Sequence, residues 1–297
     1  MHSIREYVDL FIDYLSLEKN FSENTISNYR LWLKKMVDFM EIAQNKKNIE
    51  EIKSMDILSY RSFLNSEWLS KKTVNYHIIA IRSFFKFLKK NNITTLPIES
   101  LELSKLDPRE IVFLTQEEVD KILKMPEKFE KNSIKRARDL AILYTLYGSW
   151  LRVSELINLK VKQISFENNQ ITITWKWRKQ RAVFLTKQAQ DYIKEFLKLR
   201  DFESEYVITS LSSNSRWKPI SRVSVEQLVK DYASLAWIDK KVTPHTLRHS
   251  FATTLLMKWA DIRSVQMLLW HSSIMTTQIY THISDRHLQE VHSLLEK

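Results

Sequence analysis

Three short stretches hold side chains able to work on a phosphate. In "LYGSWLRVSEL" Arg152 falls at the start of a helical run, with Ser154 and Glu155 in its first turn. An arginine at a helix N-terminus opposes the helix dipole; an anionic ligand would explain the placement, and so would a surface salt bridge to Glu155. In "VTPHTLRHSFATTLLMK" Thr243 is an N-cap candidate and Pro244 the first helical residue, so His245 and Arg248 share one face at i and i+3. His249 adjoins them and points elsewhere, while Leu247, Phe251 and Leu255 form an opposite, buried stripe. In "LLWHSSIMTTQIYTHIS" a helix ends near Leu269, His271 follows the break and Tyr280 closes another helical run. Tyr280 reads equally well as a half-buried core residue; as a nucleophile, a phenol of pKa about 10 needs cationic neighbours and a proton acceptor.

A fourth stretch, "ITITWKWRKQRAVFL", reads as a β-hairpin, with strands at 171–174 and 182–185 and Lys176 between Trp175 and Trp177 in the turn. Such turns usually take Gly or Asn where φ is positive, so tryptophan there is anomalous. Each stretch is weak singly, and together they fit one chemistry. Two guanidinium groups neutralise the non-bridging oxygens of a phosphodiester as charge develops. Histidines hydrogen-bond the phosphate and help deprotonate a phenol. A lysine on the turn protonates the leaving 5′ oxygen. No metal or other cofactor is required, and the sequence shows no carboxylate cluster to hold one.

Composition is consistent with a polyanionic partner. The 297-residue chain carries a net charge of +11 and a pI of about 9.5. Residues 1–107 hold 16 Lys+Arg against 14 Asp+Glu, and residues 108–297 hold 30 against 21, so most of the excess lies in the second part. There are no cysteines, which excludes disulfides, thiolate zinc sites and cysteine nucleophiles. No apolar run approaches the roughly 18 residues of a membrane span, and the N-terminus lacks the plan of a signal peptide, so a cytoplasmic protein is expected.

The elements that must position these residues fall into two groups. In the first hundred residues Ile4, Val8, Phe11, Ile12 and Leu15 make one helical stripe. Ser22 caps a second helix carrying Ile26, Tyr29, Leu33, Met36 and Val37, and two more helices follow, a small four-helix bundle. Lys71, Lys72, Arg82 and Lys86 flank the apolar stripe of the fourth, where they could face phosphates. A stretch with Pro97 and Pro108 links to a helix opened by a Thr115/Glu118 capping box. Helices are then expected at 136–148 and 153–159, strands near 163–185, and helices to the end. The fold class is mainly α, with an N-terminal four-helix domain at 1–105, a linker at 106–112 and a mixed, mostly helical domain with a small antiparallel sheet at 113–297.

With "SENTISNYR", "TVNYHIIAIRSFFKFL", "GSWLRVSEL", "TWKWRKQR", "TPHTLRHSFAT" and "LLWHSSIMTTQIYTH" in place, the chain resembles the tyrosine recombinases, most closely the bacterial Xer type that resolves chromosome dimers, over essentially its whole length. The resemblance implies a SAM-like core-binding domain followed by a catalytic domain. It implies Arg152 and Arg248 as phosphate clamps, Lys176 as general acid, His245 and His271 as supporting histidines and Tyr280 as nucleophile, with Arg178 as a further DNA contact. It also implies a clamp on duplex DNA, a homo- or heterotetramer with a second recombinase, a septal DNA translocase as a possible activator, and a tail at 286–297 that docks on a neighbouring protomer. A mobile-element integrase of the same family, or a DNA-binding accessory protein without turnover, are the alternatives.

The departures take one form. Where the family motifs run glycine this chain has Trp68, Trp150, Trp175, Trp177, Trp217, Trp237, Trp259 and Trp270. The chain has one glycine, Gly148, where about 7% would give roughly twenty. One assumption explains both: UGA codons that the source reads as glycine are written as tryptophan. Trp32, in the middle of a helical run where glycine would fit poorly, is expected to be a true tryptophan.

Overall fold

The computed structural model describes residues 3–106, 112–174, 180–257 and 263–264. The chain divides into two compact units, Met1–Arg109 and Glu110–Lys297.

The first unit is built on α1 (Ile4–Leu17), α2 (Glu23–Ile42), α3 (Ser54–Ser66) and α4 (Lys71–Lys90). Ser3, Ser22 and Ser70 cap α1, α2 and α4, each accepting the backbone N–H three residues on. The α1 stripe is buried as its spacing predicts. On α2 Leu33, Met36 and Val37 are buried, while Ile26 and Tyr29 are half-buried against the same core. Phe11 joins α1 to α4 through Phe84 and Phe87, at ring separations of 5.6 and 5.4 Å. Burying a side chain of that size contributes about 1.5–3 kcal/mol. The Tyr60 hydroxyl of α3 and Nδ1 of His77 on α4 are hydrogen-bonded at 2.8 Å, with both residues buried.

The second unit comprises α5 (Gln116–Phe129), α6 (Ser133–Gly148), α7 (Val153–Ile157), a sheet of β1 (Ile164–Ser165), β2 (Gln170–Thr174) and β3 (Gln180–Phe184), then α8 (Lys187–Leu199), α9 (Arg222–Leu235) and α10 (Pro244–Met257). The Thr115/Glu118 capping box opens α5 as expected. The central helix α6 starts three residues before the expected 136, because the Asn132 side chain caps it by accepting the Lys135 N–H at 3.0 Å. By contrast α7 stops two residues short of 159. The Leu159 carbonyl accepts the Val207 N–H at 2.8 Å and Lys160 pairs antiparallel with Tyr206, which draws the chain out of the helix.

The sheet is antiparallel in the order β1-β2-β3, with Ile171 opposite Val183 and Ile173 opposite Arg181. Arg181 and Val183 therefore face inward and Phe184 faces out. The end of α6 presses on the start of α8 at Gly148. A Cβ there would stand 2.6 Å from Thr186 Oγ1, so this contact needs glycine for its small size. Among the described residues no helix is long and apolar enough to cross a membrane.

Candidate active site

Arg152 stands at the N-cap of α7 and Arg248 in the first turns of α10, and one loop relates them. After Gly148 closes α6, the chain turns through Ser149 and Trp150 before Leu151 enters the core. The Trp150 carbonyl accepts a hydrogen bond from Nη1 of Arg248. That contact corrects the expected faces of α10. Arg248 is itself buried, at 4% exposure, whereas Phe251 and Leu255 are only half-buried and Leu247 alone of the expected stripe is fully covered. A guanidinium can be buried there because a carbonyl meets it. The cap of α10 is as expected, with Thr243 Oγ1 accepting the Thr246 N–H at 3.1 Å. Ser250 on the same helix accepts the Leu114 N–H at 2.8 Å, fixing α10 to the entry of α5.

His245 is exposed on the first turn of α10. Although the residue is exposed to solvent, its imidazole pKa is held below the usual 6.5, first by partial desolvation and then by Arg248, Arg222 and Arg152. All three guanidinium groups thus act on one imidazole, and His245 is neutral at pH 7. His249 lies one turn along α10, its ring 6.5 Å from that of His245.

The salt bridge that rivalled the anion reading of Arg152 exists. Arg152 Nη1 donates to Glu155 Oε1 at 3.2 Å, and the Arg152 backbone N–H donates to Glu155 Oε2 at 2.8 Å. The same Oε1 accepts from Arg181 Nη2 of β3 at 2.7 Å. Glu155 therefore bridges two arginines, a role the sequence reading missed, as it missed Arg181. Burial pushes the Arg181 guanidinium pKa down and Glu155 opposes that. A sequence signal existed: an arginine in phase with Val183 and Leu185 on a strand whose partner carries Ile171 and Ile173 must sit on the inner face. The ion pair does not displace the anion reading. Arg152, whose charge also bears on His245 together with that of Arg248, keeps the planar donors with which a guanidinium binds a phosphate.

Of the other expected site residues, Lys176, Arg178, His271 and Tyr280 lie outside the described residues, as do Trp175, Trp177, Trp259, Trp270 and the segment 286–297. In the first unit Lys71, Lys72 and Lys86 are exposed on α4 and Arg82 is half-buried. Lys72 Nζ lies 5.8 Å over the Tyr76 ring. Lys86 joins Lys19 and Lys90 around a cavity of about 380 Å³ lined by Phe11, Tyr14 and Phe87. Among the described residues no three His, Asp or Glu side chains gather to hold a metal ion.

Residues 112–287 match the phage integrase family, and residues 8–92 match the phage integrase N-terminal SAM-like domain. The chain is 36% identical over 291 residues to tyrosine recombinase XerD of Chlorobaculum tepidum, covering 97% of this chain and 95% of that one. It is 34% identical over 304 residues to tyrosine recombinase XerC of Oceanobacillus iheyensis, covering 98% and 96%. Among solved structures it resembles the XerH site-specific recombinase bound to a palindromic difH substrate, with a TM-score of 0.74 and 26% identity over 94% of this chain and 82% of that one. A lambda integrase dimer bound to a core site shares the fold, with a TM-score of 0.69 at 19% identity, over 91% and 96%. A SAM-like helical domain followed by a mostly helical catalytic domain, and relatives matched over nearly their whole length, lead to the same conclusion: this chain belongs to the phage integrase family, as an Xer-type tyrosine recombinase, an enzyme that cleaves and rejoins DNA.

Proposed function

We propose that this recombinase resolves chromosome dimers at a dif-like site in the cytoplasm, acting on duplex DNA as a tetramer with itself or with a second recombinase and activated by a septal DNA translocase. Residues 1–105 grip the DNA through Lys71, Lys72, Arg82 and Lys86, residues 106–112 link, and residues 113–297 cut. Arg152 and Arg248 hold the non-bridging oxygens of the scissile phosphate. The Tyr280 oxygen attacks phosphorus, its proton passing to His245 and His271, and the bond to the 5′ oxygen breaks. Lys176, with Arg178 beside it on the DNA, gives that oxygen its proton. The product is a 3′-phosphotyrosyl bond, which keeps the energy of the broken phosphodiester for rejoining. Two arginines carry the developing charge, so the step needs no metal or other cofactor.

The observation that carries this reading is the Arg248 contact to the carbonyl of residue 150, two residues before Arg152, with neutral His245 under the influence of both arginines. The relatives' names and the dif-type substrate of the XerH complex support the resolvase role over a mobile-element integrase. The test is a plasmid carrying two direct copies of the source's chromosomal dif-like sequence. Excision of the intervening segment, abolished by Arg248→Ala, supports the resolvase reading. Excision that instead requires a transposon end contradicts it.

A further inference from the structure

Among the described residues, seven that are not glycine have a positive φ, and they are of two kinds. Four are Asn20, Asn45, Asn92 and Asn169; three are Trp68, Trp150 and Trp237, with φ of 58°, 56° and 56°. Asparagine tolerates the left-handed region through its short polar side chain, whereas a bulky L-residue is strained there. The three tryptophans share one position. Each is the residue just past a helix C-cap: Glu67 caps α3, Ser149 caps α6 and Ala236 caps α9. At Trp237 the full Schellman pattern is present, with the Trp237 N–H on the Ser234 carbonyl and the Ile238 N–H on the Ala233 carbonyl. The end of α4 makes the same pattern with Asn92, so the fold imposes the left-handed turn whatever residue fills it.

The indoles contribute little in return. Trp68 and Trp237 are 95% and 91% exposed, so they pack on almost nothing. Trp150 has its ring 5.1 Å from that of Phe251, but its indole N–H is buried without a partner. Trp32 behaves differently. It lies within α2, half-buried, stacked on Tyr76 at 5.5 Å and 12°. Of the five described tryptophans, Trp32 is thus one the fold uses, Trp68, Trp150 and Trp237 stand on left-handed backbone, and Trp217, 54% exposed, has no positive φ and shows no such sign of a glycine position.

We infer that glycine is the native occupant of positions 68, 150 and 237, and that the left-handed turn at 150 is a positioning element that presents its carbonyl to Arg248 and leads the chain into Arg152. Residue 150 touches no substrate; it acts through the two arginines. The residue assignment stands on backbone geometry and side-chain surroundings, while the positioning role rests on the site proposed above.

Three measurements test it on the full chain. Trp68→Gly and Trp237→Gly each raise the unfolding free energy, lowering the unfolding equilibrium constant about fivefold, which is ~1 kcal/mol of left-handed strain at about 1.4 kcal/mol per tenfold; Trp32→Gly raises that constant. At position 150, Gly and Asn both speed covalent adduct formation on a nicked suicide duplex, about tenfold for Gly, with DNA affinity unchanged, whereas Trp150→Ala, which keeps a Cβ in the left-handed region, does not. Peptide mass spectrometry of the protein from its source reads glycine at all three positions. Loss of stability in both exposed variants, or tryptophan in the source peptides, overturns the assignment; equal adduct rates for Gly, Asn and Ala at 150 overturn the positioning role. No adduct from any variant counts against Tyr280 chemistry instead, and the stability pair and peptide masses still decide the residue assignment.

Discussion

The buried Tyr60–His77 pair ties the stability of the first unit to pH in a way that can be worked out from its geometry. His77 is 4% exposed, with Nδ1 hydrogen-bonded to the Tyr60 hydroxyl at 2.8 Å. Burial, with Lys35 adding to it, lowers its pKa from 6.5 to about 4. In the unfolded chain His77 takes up a proton as the pH falls through 6.5, and in the folded protein it does not until about 4. The unfolded state then binds more protons across that window, so stability is fully present above pH 6.5 and is lost as the pH falls toward 4. A difference of about 2.5 pKa units at 1.36 kcal/mol each corresponds to roughly 3 kcal/mol. The assay is urea unfolding of the full chain at intervals from pH 7.5 to pH 4, beside His77→Gln, which can keep a hydrogen bond from Tyr60 without titrating. The wild-type chain should lose on the order of 3 kcal/mol more than the variant over that range. Parallel pH dependences in the two proteins, or an NMR titration of His77 centred near pH 6.5, would refute the reasoning.

Three further outcomes follow from the second unit. Gly148→Ala drives a methyl group into Thr186, whose hydroxyl caps α8 by accepting the Ala189 N–H, so overpacking and a weakened cap together should cost about 2 kcal/mol in urea unfolding. Asp139, 1% exposed, accepts from Arg138 Nε and Nη2 at 2.9 and 2.7 Å and from the Tyr232 hydroxyl at 2.8 Å; Asp139→Ala leaves a buried guanidinium without its carboxylate and should cost about 3–5 kcal/mol by the same assay. Because the His245 pKa is lowered, the neutral imidazole persists below pH 6.5, so the acid limb of single-turnover DNA cleavage should lie below that pH and shift upward in Arg222→Ala.

Periodicity and capping chemistry made much of this architecture readable before any coordinates. The α1 stripe, the Thr115/Glu118 box and the Thr243 cap are local patterns in which a few neighbouring residues decide the outcome. What escaped notice depended on partners far along the chain. α7 ends early because residues near 206 pair with Leu159 and Lys160, and the one local sign, Asn158 at the C-cap with its amide on the Ser154 carbonyl, is easily passed over. Arg248 is buried because a carbonyl 98 residues away receives it, so a helical wheel drawn on α10 alone puts the apolar face in the wrong place. Arg181 is the opposite case. Its inward position was implicit in strand alternation, but the apolar Ala182 and Phe184 suggest the other face until the register against Ile171 and Ile173 is known. The tryptophans were conspicuous in composition; the left-handed backbone at three of them gives that anomaly a physical meaning.

The central claim is that Tyr280 cuts DNA by direct attack, aided by Arg152 and Arg248. It is tested most directly by incubating the full chain, both as written and with glycine at the eight tryptophan positions named above, with a nicked suicide duplex carrying the source's dif-like sequence in the presence of EDTA, beside Tyr280→Phe, on a denaturing gel. The account predicts a protein–DNA adduct that forms without a divalent cation and disappears in Tyr280→Phe. An adduct that survives that substitution, or binding in a gel shift with no adduct from either form of the chain, would contradict it.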